Sequence, residues 1–299
     1  MNIKESILIT GSTGFLGKAL IKALLKNDFN LIGLHVVREN KTTERKSLTH
    51  ENIYIRHEDE ISEKISDKNI KAIIHLATDY GSKNPKSVKS CNYDLPLKLL
   101  QMTESESIEY FINADSFFSD LPDSYPHLKE YRKWKKLFRE TGRKFSNNIT
   151  THFFNMRIFH MFGPNDSSGK FVFEMQKNME ANIESIDLTE CDQLRDFIYI
   201  DDVVSAFEIV LEKRYEIKDF YKNFDVGSGK KVTIKHFLYI LKKTIRSSSI
   251  LNFGAIEKRE GETELELIEA NNASLKNLGW KICKNLDHSI GTLIKCNKN

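Results

Sequence analysis

An α/β fold built on a doubly wound parallel sheet, with a smaller lobe towards the C-terminal end, is what the sequence predicts. Three observations predict it. Short apolar runs alternate with helical patterns through the first half, a glycine-rich turn separates the first run from the first helix, and after GPN at 163–165 the rhythm changes to longer, more polar segments. Strands alternating with helices mean a parallel sheet covered on both faces, with right-handed crossovers.

The elements follow in order. SILIT is an apolar run, and GKALIKALLK after it repeats Ala19, Leu20, Ala23 and Leu24 at helical spacing; LIGLHVV is the next run, completing a strand, helix, strand unit. IYIRH, KAIIHLA, YFINA and THFFNMRI continue the strands, with PLKLLQM and a segment beginning near Tyr131 as helices between them. Helices such as IKHFLYILKKTI belong to the second lobe. Residues 1–165 are expected to form the first domain, and 166–299 mainly the second lobe, with roughly 196–228 returning to the first domain. No internal repeat or low-complexity tract interrupts the pattern, which excludes a solenoid.

Composition excludes several function classes. With 40% hydrophobic residues among 299, the chain can bury a sizeable core. The net charge of +3 is a small difference between 45 basic and 42 acidic side chains, so no nucleic-acid partner is expected. The apolar runs are too short to span a bilayer and no signal-peptide pattern precedes SILITG, so no membrane insertion is expected. Cys91, Cys191, Cys283 and Cys296 are scattered without CxxC spacing, which suits reduced thiols of a cytoplasmic protein. The nine histidines show no HExxH or similar spacing, so no metal site is expected.

The first chemical signal is ITGSTGFLGKAL. Gly11, Gly14 and Gly17, spaced GxxGxxG, stand between strand and helix and enclose Ser12, Thr13, Phe15 and Leu16. A tight turn, a bare backbone for a pyrophosphate and close packing of the new helix are what a dinucleotide demands, and the helix N-terminus adds N–H groups and a positive dipole end. A Rossmann-type domain binding a nicotinamide dinucleotide is therefore expected. A site preferring NAD(H) carries a carboxylate at the end of the second strand to hold the ribose 2′-hydroxyl. Here that place is held by His35, with Arg38 just beyond, and a guanidinium would bind a 2′-phosphate. NADP(H) is expected over NAD(H), the alternative being that Arg38 is simply solvated. Asp59, after the third strand, is a candidate adenine contact or else a surface carboxylate.

Tyrosine followed four residues later by lysine occurs three times, as Tyr125 with Lys129, Tyr131 with Lys135 and Tyr239 with Lys243. Pro126 pushes Tyr125 out of helical geometry, and Phe237, Leu238 and Leu241 give the Tyr239 helix a packing role. Only Tyr131 opens a helix shortly after FINAD, a predicted central strand. Positions i and i+4 are neighbours, so Lys135 is expected to bring its ammonium near the phenol oxygen and lower the phenol pKa towards working pH.

Through TGSTGFLG, IIHLAT, Tyr131 with Lys135, NMRIFHMFGPND and RDFIYIDDVVSAF, nearly end to end, the chain resembles the extended short-chain dehydrogenase/reductases that act on nucleotide-activated sugars. HLATDYG, NADSFF and FGAIEKRE make it most similar, within that family, to the reductases of 3,6-dideoxyhexose formation. The resemblance implies NADPH reduction of the 4-keto group of a CDP-linked deoxysugar for O-antigen synthesis, a nucleotide-sugar partner and a homodimer. It implies that Tyr131 protonates the sugar oxygen and Lys135 also holds the nicotinamide ribose. Leu76, Ala77 and Thr78 would line the cofactor, the alternative for Thr78 being strand-end packing. Arg195 and Arg259 would meet the substrate diphosphate, or else form ordinary surface ion pairs. His160 would stand near the sugar, or else be a satisfied core histidine.

The family's serine or threonine that polarises the carbonyl is expected at residue 114, which is alanine here. Ser116 lies on the same side of an extended segment and is expected to supply the missing hydrogen bond, directly or through a water; the alternative is that it merely caps the strand. Dehydratases of the family carry an Asp-Glu pair where this chain has Asp115 and Ser116, which argues against elimination. An NAD-dependent epimerase is the second reading, and a non-catalytic NADP-binding protein the third.

Overall fold

The computed structural model describes residues 4–37, 47–81, 85–122, 125–147, 150–260 and 269–296. In chain order the first half runs β1 (Ser6–Thr10), α1 (Phe15–Leu24), β2 (Asn30–Val36), β3 (Glu51–Ile55), α2 (Ile61–Ile65), β4 (Ile70–His75), α3 (Pro85–Lys89), α4 (Leu95–Ser105), β5 (Tyr110–Ser116), α5 (Lys129–Phe145) and β6 (His152–Ile158). A π-helical turn, Ser90–Asp94, joins α3 to α4, and a 3₁₀ turn, Phe117–Asp120, follows β5. The second half runs β7 (His160–Phe162), α6 (Phe171–Glu180), β8 (Ser185–Leu188), β9 (Leu194–Tyr199), α7 (Ile200–Glu212), β10 (Tyr221–Val226), β11 (Lys231–Thr233), α8 (Ile234–Ile245), β12 (Ile250–Phe253), α9 (Ala273–Asn277) and α10 (Leu286–Cys296).

The six strands of the first half and β10 build a seven-stranded parallel sheet in the order β10-β6-β5-β4-β1-β2-β3. The order reverses between β1 and β4, the crevice where open α/β sheets hold their ligands. Both faces are covered, so the strands read as continuous apolar runs: all five residues of β1 are buried. One face carries the main core, in which Leu8, Ile32, Leu34, Ile53 and Ile73 of the strands meet Leu95, Leu99 and Leu100 of α4 and Phe138 of α5.

Two compact units divide the chain. One comprises Met1–Leu121, His127–Ile158 and Ala206–Phe224; the other comprises Pro122–Pro126, Phe159–Ser205 and Asp225–Asn299. The second unit holds a three-stranded sheet, β11-β9-β7, and a parallel pair, β12-β8. Phe162, Phe197 and Phe237 stack at its centre. Asp196 of β9 ties its loops together, accepting hydrogen bonds from the amides of Ser228, Gly229 and Ala270. Among the described residues no helix is long and apolar enough to cross a membrane, and no group of histidine, cysteine or acidic side chains could hold a metal.

Candidate active site

The glycine turn meets the demands of a dinucleotide. Gly11 has φ +69°, and a Cβ there would lie 2.5 Å from the Ala77 amide nitrogen. A Cβ on Gly17 would lie 2.2 Å from the Gly11 carbonyl oxygen, so only glycine lets α1 start this close to β1. Gly14 is the N-cap of α1 and has no side chain to spend on the first-turn N–H groups, which are left for an anion. Ser12 is buried within the turn, and its hydroxyl has no partner among the described residues. Thr13, Phe15 and Leu16 complete the turn into α1. These residues fit the pyrophosphate of a dinucleotide.

At the end of β2, His35 is hydrogen-bonded through Nε2 to Asn52 Oδ1 at 2.8 Å and stacks on Tyr54. Burial lowers its pKa, against the opposing bond from Asn52, so the ring is neutral near pH 7. Asp59 sits in a 3₁₀ turn after β3 with its side chain 95% exposed, 4.0 Å from Lys98. Arg38 lies outside the described residues.

The reactive cluster forms where the tips of β4 and β5 meet α5. Tyr131 is buried on the first turn of that helix, whose N-cap, Leu128, holds the left-handed conformation at φ +57°. The hydroxyls of Ser116 and Thr78 lie beside the phenol. Asn92, in the π-helical turn, spends its amide N–H groups on the carbonyls of Asp79 and Val88, so its Oδ1 must accept from Thr78, at 2.9 Å. Ser116 Oγ accepts the Phe118 amide at 3.3 Å. Ser116 is thus both the cap of the 3₁₀ turn and the hydroxyl beside Tyr131.

One expectation is overturned. Burial pushes the Tyr131 phenol well above the usual tyrosine value, Tyr80 and Asp115 add to the rise, and the bonds from Ser116 and Thr78 oppose it. Lys135 does not supply the expected opposing charge. Its ammonium donates to the Ala114 carbonyl oxygen at 2.8 Å, and burial lowers its own pKa while Asp115 and Cys91 raise it. Ala114 therefore contributes its backbone, and its side chain is buried.

Beneath the cluster the sheet carries a row of polar residues, one from each of five strands. Thr10 Oγ1 accepts the Ala77 amide and shares a hydrogen bond of 2.8 Å with His75 Nδ1. Asn113 donates to Asn155, and Asn155 to Asn223. Burial and the charge of Lys135 hold the His75 pKa well below its ordinary value. Leu76 and Ala77 follow directly, Leu76 buried and Ala77 against the glycine turn.

In the second unit, His160 and Arg195 come from β7 and β9, which pair in parallel. Arg195 is buried and donates to the Leu194 carbonyl; burial first, then the Arg195 charge, keep His160 neutral. Arg259 is exposed in the loop after β12. Sequence reasoning missed Tyr80, whose ring lies 4.8 Å from that of Tyr131, although HLATDYG contains it. It also missed Asn92, and no local pattern could have singled that residue out.

Comparison with known proteins places the chain. The model of the "NAD dependent epimerase/dehydratase family" matches residues 7–227. CDP-abequose synthase of Salmonella typhimurium is 35% identical over 297 residues, covering 97% of this chain and 96% of the relative. The Salmonella muenchen enzyme of the same name is 35% identical over 285 residues, covering 94% of each. Among solved structures, UDP-glucose 4-epimerase of Thermotoga maritima, with UDP-glucose, superposes with TM-score 0.81 at 18% identity and covers 98% of both chains. The Thermus thermophilus UDP-glucose 4-epimerase complex with NAD gives 0.78 at 14% identity, covering 98% of this chain and 99% of that one.

Proposed function

This chain belongs to the NAD dependent epimerase/dehydratase family, and we propose that within it the protein is a reductase, using NADPH to reduce the 4-keto group of a CDP-linked deoxyhexose for O-antigen synthesis in the cytoplasm. The observation that carries the reading is the cluster at the tips of β4 and β5, where the hydroxyls of Ser116 and Thr78 flank the buried Tyr131 phenol and Lys135 is bonded to the Ala114 carbonyl. End-to-end similarity to two CDP-abequose synthases supports the choice of substrate. The nicotinamide, when bound, supplies the hydride that reduces the carbonyl carbon.

Everything else falls to the chain's own residues. The first turn of α1 binds the pyrophosphate through Gly14 to Gly17, and Leu76, Ala77 and Thr78 line the cofactor. Tyr131 gives its phenolic proton to the developing alkoxide. Ser116 donates to the phenol oxygen or to the carbonyl oxygen, and in either place it stabilises negative charge that grows during the reaction. Lys135, fixed on the Ala114 carbonyl, keeps a positive charge beside the cluster and holds the nicotinamide ribose. His160, Arg195 and Arg259 are assigned to the substrate, the two guanidinium groups to its diphosphate.

NADPH is favoured because no carboxylate occupies position 35, where a neutral histidine stands. Arg38 is assigned to the 2′-phosphate, and Asp59 to the adenine edge. A homodimer, assigned by family resemblance, is read directly by sedimentation. The test of function is NADPH oxidation by purified protein given a CDP-4-keto-6-deoxyhexose or its 3-deoxy derivative. Consumption with NADPH preferred over NADH is expected; no consumption with either sugar overturns the reading, and equal use of both cofactors overturns the NADPH assignment.

A further inference from the structure

Helix α5 presents Tyr131, Lys135 and Arg139 on one face, at positions i, i+4 and i+8. Each faces one of three consecutive residues at the tip of β5. Tyr131 meets the Ser116 hydroxyl, Lys135 the Ala114 carbonyl and Arg139 the Asp115 carboxylate, the last at 3.0 Å from Nη1 to Oδ2. The first two contacts belong to the chemistry already described. The third touches no reacting atom, yet it is the most heavily bonded.

The Asp115 side chain is 0% exposed and that of Arg139 14%. Asp115 Oδ1 accepts the amide of Ser116 at 2.8 Å, and Oδ2 also accepts from Asn155 at 3.0 Å and Ser119 at 3.3 Å. Arg139 reaches further, to Ser119 Oγ at 3.0 Å and Asp120 at 2.5 Å, and Arg157 of β6 bonds the second oxygen of Asp120. Arg132, also on α5, bonds the carbonyls of Phe118 and Leu121. The backbone that carries the Ser116 hydroxyl is thus gripped from the helix that carries the Tyr131 phenol. A planar fork and a carboxylate make the grip directional, because a guanidinium cannot rotate about its contacts as an ammonium can.

We propose that Asp115 and Arg139 are the positioning pair of this active site: their ion pair sets the spacing and rotation of α5 against the tip of β5, and so holds the Ser116 hydroxyl in bonding range of the Tyr131 phenol. The proposal rests on the reductase reading only for its kinetic readout. Misplacement of reacting groups by about 1 Å costs on the order of 100-fold in rate, so the pair acts on kcat and leaves ground-state binding nearly untouched.

The test uses Arg139→Met, Arg139→Lys and the double variant Asp115→Asn/Arg139→Met in the full chain. Melting temperature, NADPH dissociation constant, and kcat and KM for the CDP-4-keto sugar are measured. Arg139→Met is expected to lower kcat roughly 10- to 100-fold, with KM and the NADPH constant changed less than about twofold. Arg139→Lys recovers part of kcat. The double variant, which removes both charges of the pair, regains part of the melting temperature lost in Arg139→Met without regaining kcat. If Arg139→Met does not fold, the Lys and double variants carry the same comparison. A kcat that stays within about twofold of wild type in a folded variant, or that returns together with melting temperature in the double variant, overturns the proposal.

A readout independent of substrate separates this inference from the reductase assignment. With 3-fluorotyrosine at position 131, the fluorine resonance reports the phenol's hydrogen bonding. Arg139→Met is expected to move it towards its position in Ser116→Ala, and an unmoved resonance overturns the proposal whatever the substrate proves to be.

Discussion

At the tips of β4 and β5, the side chains that would do chemistry are gathered against α5: two hydroxyls beside the phenol, an ammonium bonded to a carbonyl, a guanidinium bonded to a carboxylate. At the tips of β2 and β3 the picture is different. His35 is bonded to its neighbour Asn52, and Asp59 projects into solvent. Both regions lie at the same edge of the same sheet, so the fold alone does not explain the contrast. On the proposed reading the first region would carry out a proton transfer, whose acid must be held within hydrogen-bond reach of one atom, and the second would recognise a ribose, which tolerates a looser fit and a choice of residues. Substitutions in the first region should therefore cost orders of magnitude, and those in the second small factors.

The largest effect is expected of Tyr131→Phe, which removes the proton donor and little packing: kcat should fall at least about 100-fold with NADPH affinity nearly intact. Retention of more than about a tenth of wild-type activity would place the acid elsewhere. Ser116→Ala should lower kcat roughly 10- to 1,000-fold, the range of an oxyanion-type hydrogen bond. Ser116→Thr, which keeps the hydroxyl, should recover much of it. If Ser116→Ala is kinetically silent while the melting temperature drops, the residue only caps the turn at Phe118. Adding Ala114→Thr to Ser116→Ala should restore part of the loss.

The glycine turn offers a graded test within the cofactor site. A Cβ at Gly17 meets backbone at 2.2 Å, whereas one at Gly14 meets the Gly11 carbonyl at 3.1 Å. Gly17→Ala should weaken NADPH binding and lower the melting temperature far more than Gly14→Ala, as binding titrations and thermal melts of both variants would read. Equal effects would mean that close approach of α1 is not what the turn provides.

A pH prediction concerns the polar row beneath the cluster. The folded-state pKa of His75 lies below its unfolded value of about 6.5. The unfolded chain therefore takes up the proton first, and the stability contributed by the neutral ring is complete above about pH 6.5 and is lost as pH falls towards the folded pKa. Melting temperature should drop between pH 7 and 5, with a slope from this group of up to about 1.4 kcal/mol per pH unit. His75→Asn should flatten the curve, and an unchanged slope would contradict the buried neutral histidine. The smallest effect is expected at β2, where His35→Asp should move the NADPH-to-NADH preference only several-fold towards NADH, as the ratio of kcat/KM values would show.

What was legible in the sequence follows from what is local in the chain. SILIT and KAIIHLA declare strands by composition, the glycines declare a turn by spacing, and Tyr131 and Lys135 declare a helix face by their interval of four. The shift of the phenol was not legible, because it depends on burial among residues far apart in sequence, and its expected direction was reversed. Arg139 is one of several basic residues in RKWKKLFRETGRK, and only the fold brings it to Asp115. Asn92 matters only because a π-helical turn aims it at Thr78.

What separates a reductase from an epimerase is whether Tyr131 completes a net reduction. Protein incubated with a CDP-4-keto-deoxyhexose and NADPH deuterated on the transferred face tests it most directly. The predicted result is one cofactor oxidised per sugar, with the label at C4 of a new alcohol, and neither change when Tyr131 is phenylalanine. A product that is the C4 epimer of a supplied 4-hydroxy sugar, formed without label and without net oxidation of the cofactor, would contradict it.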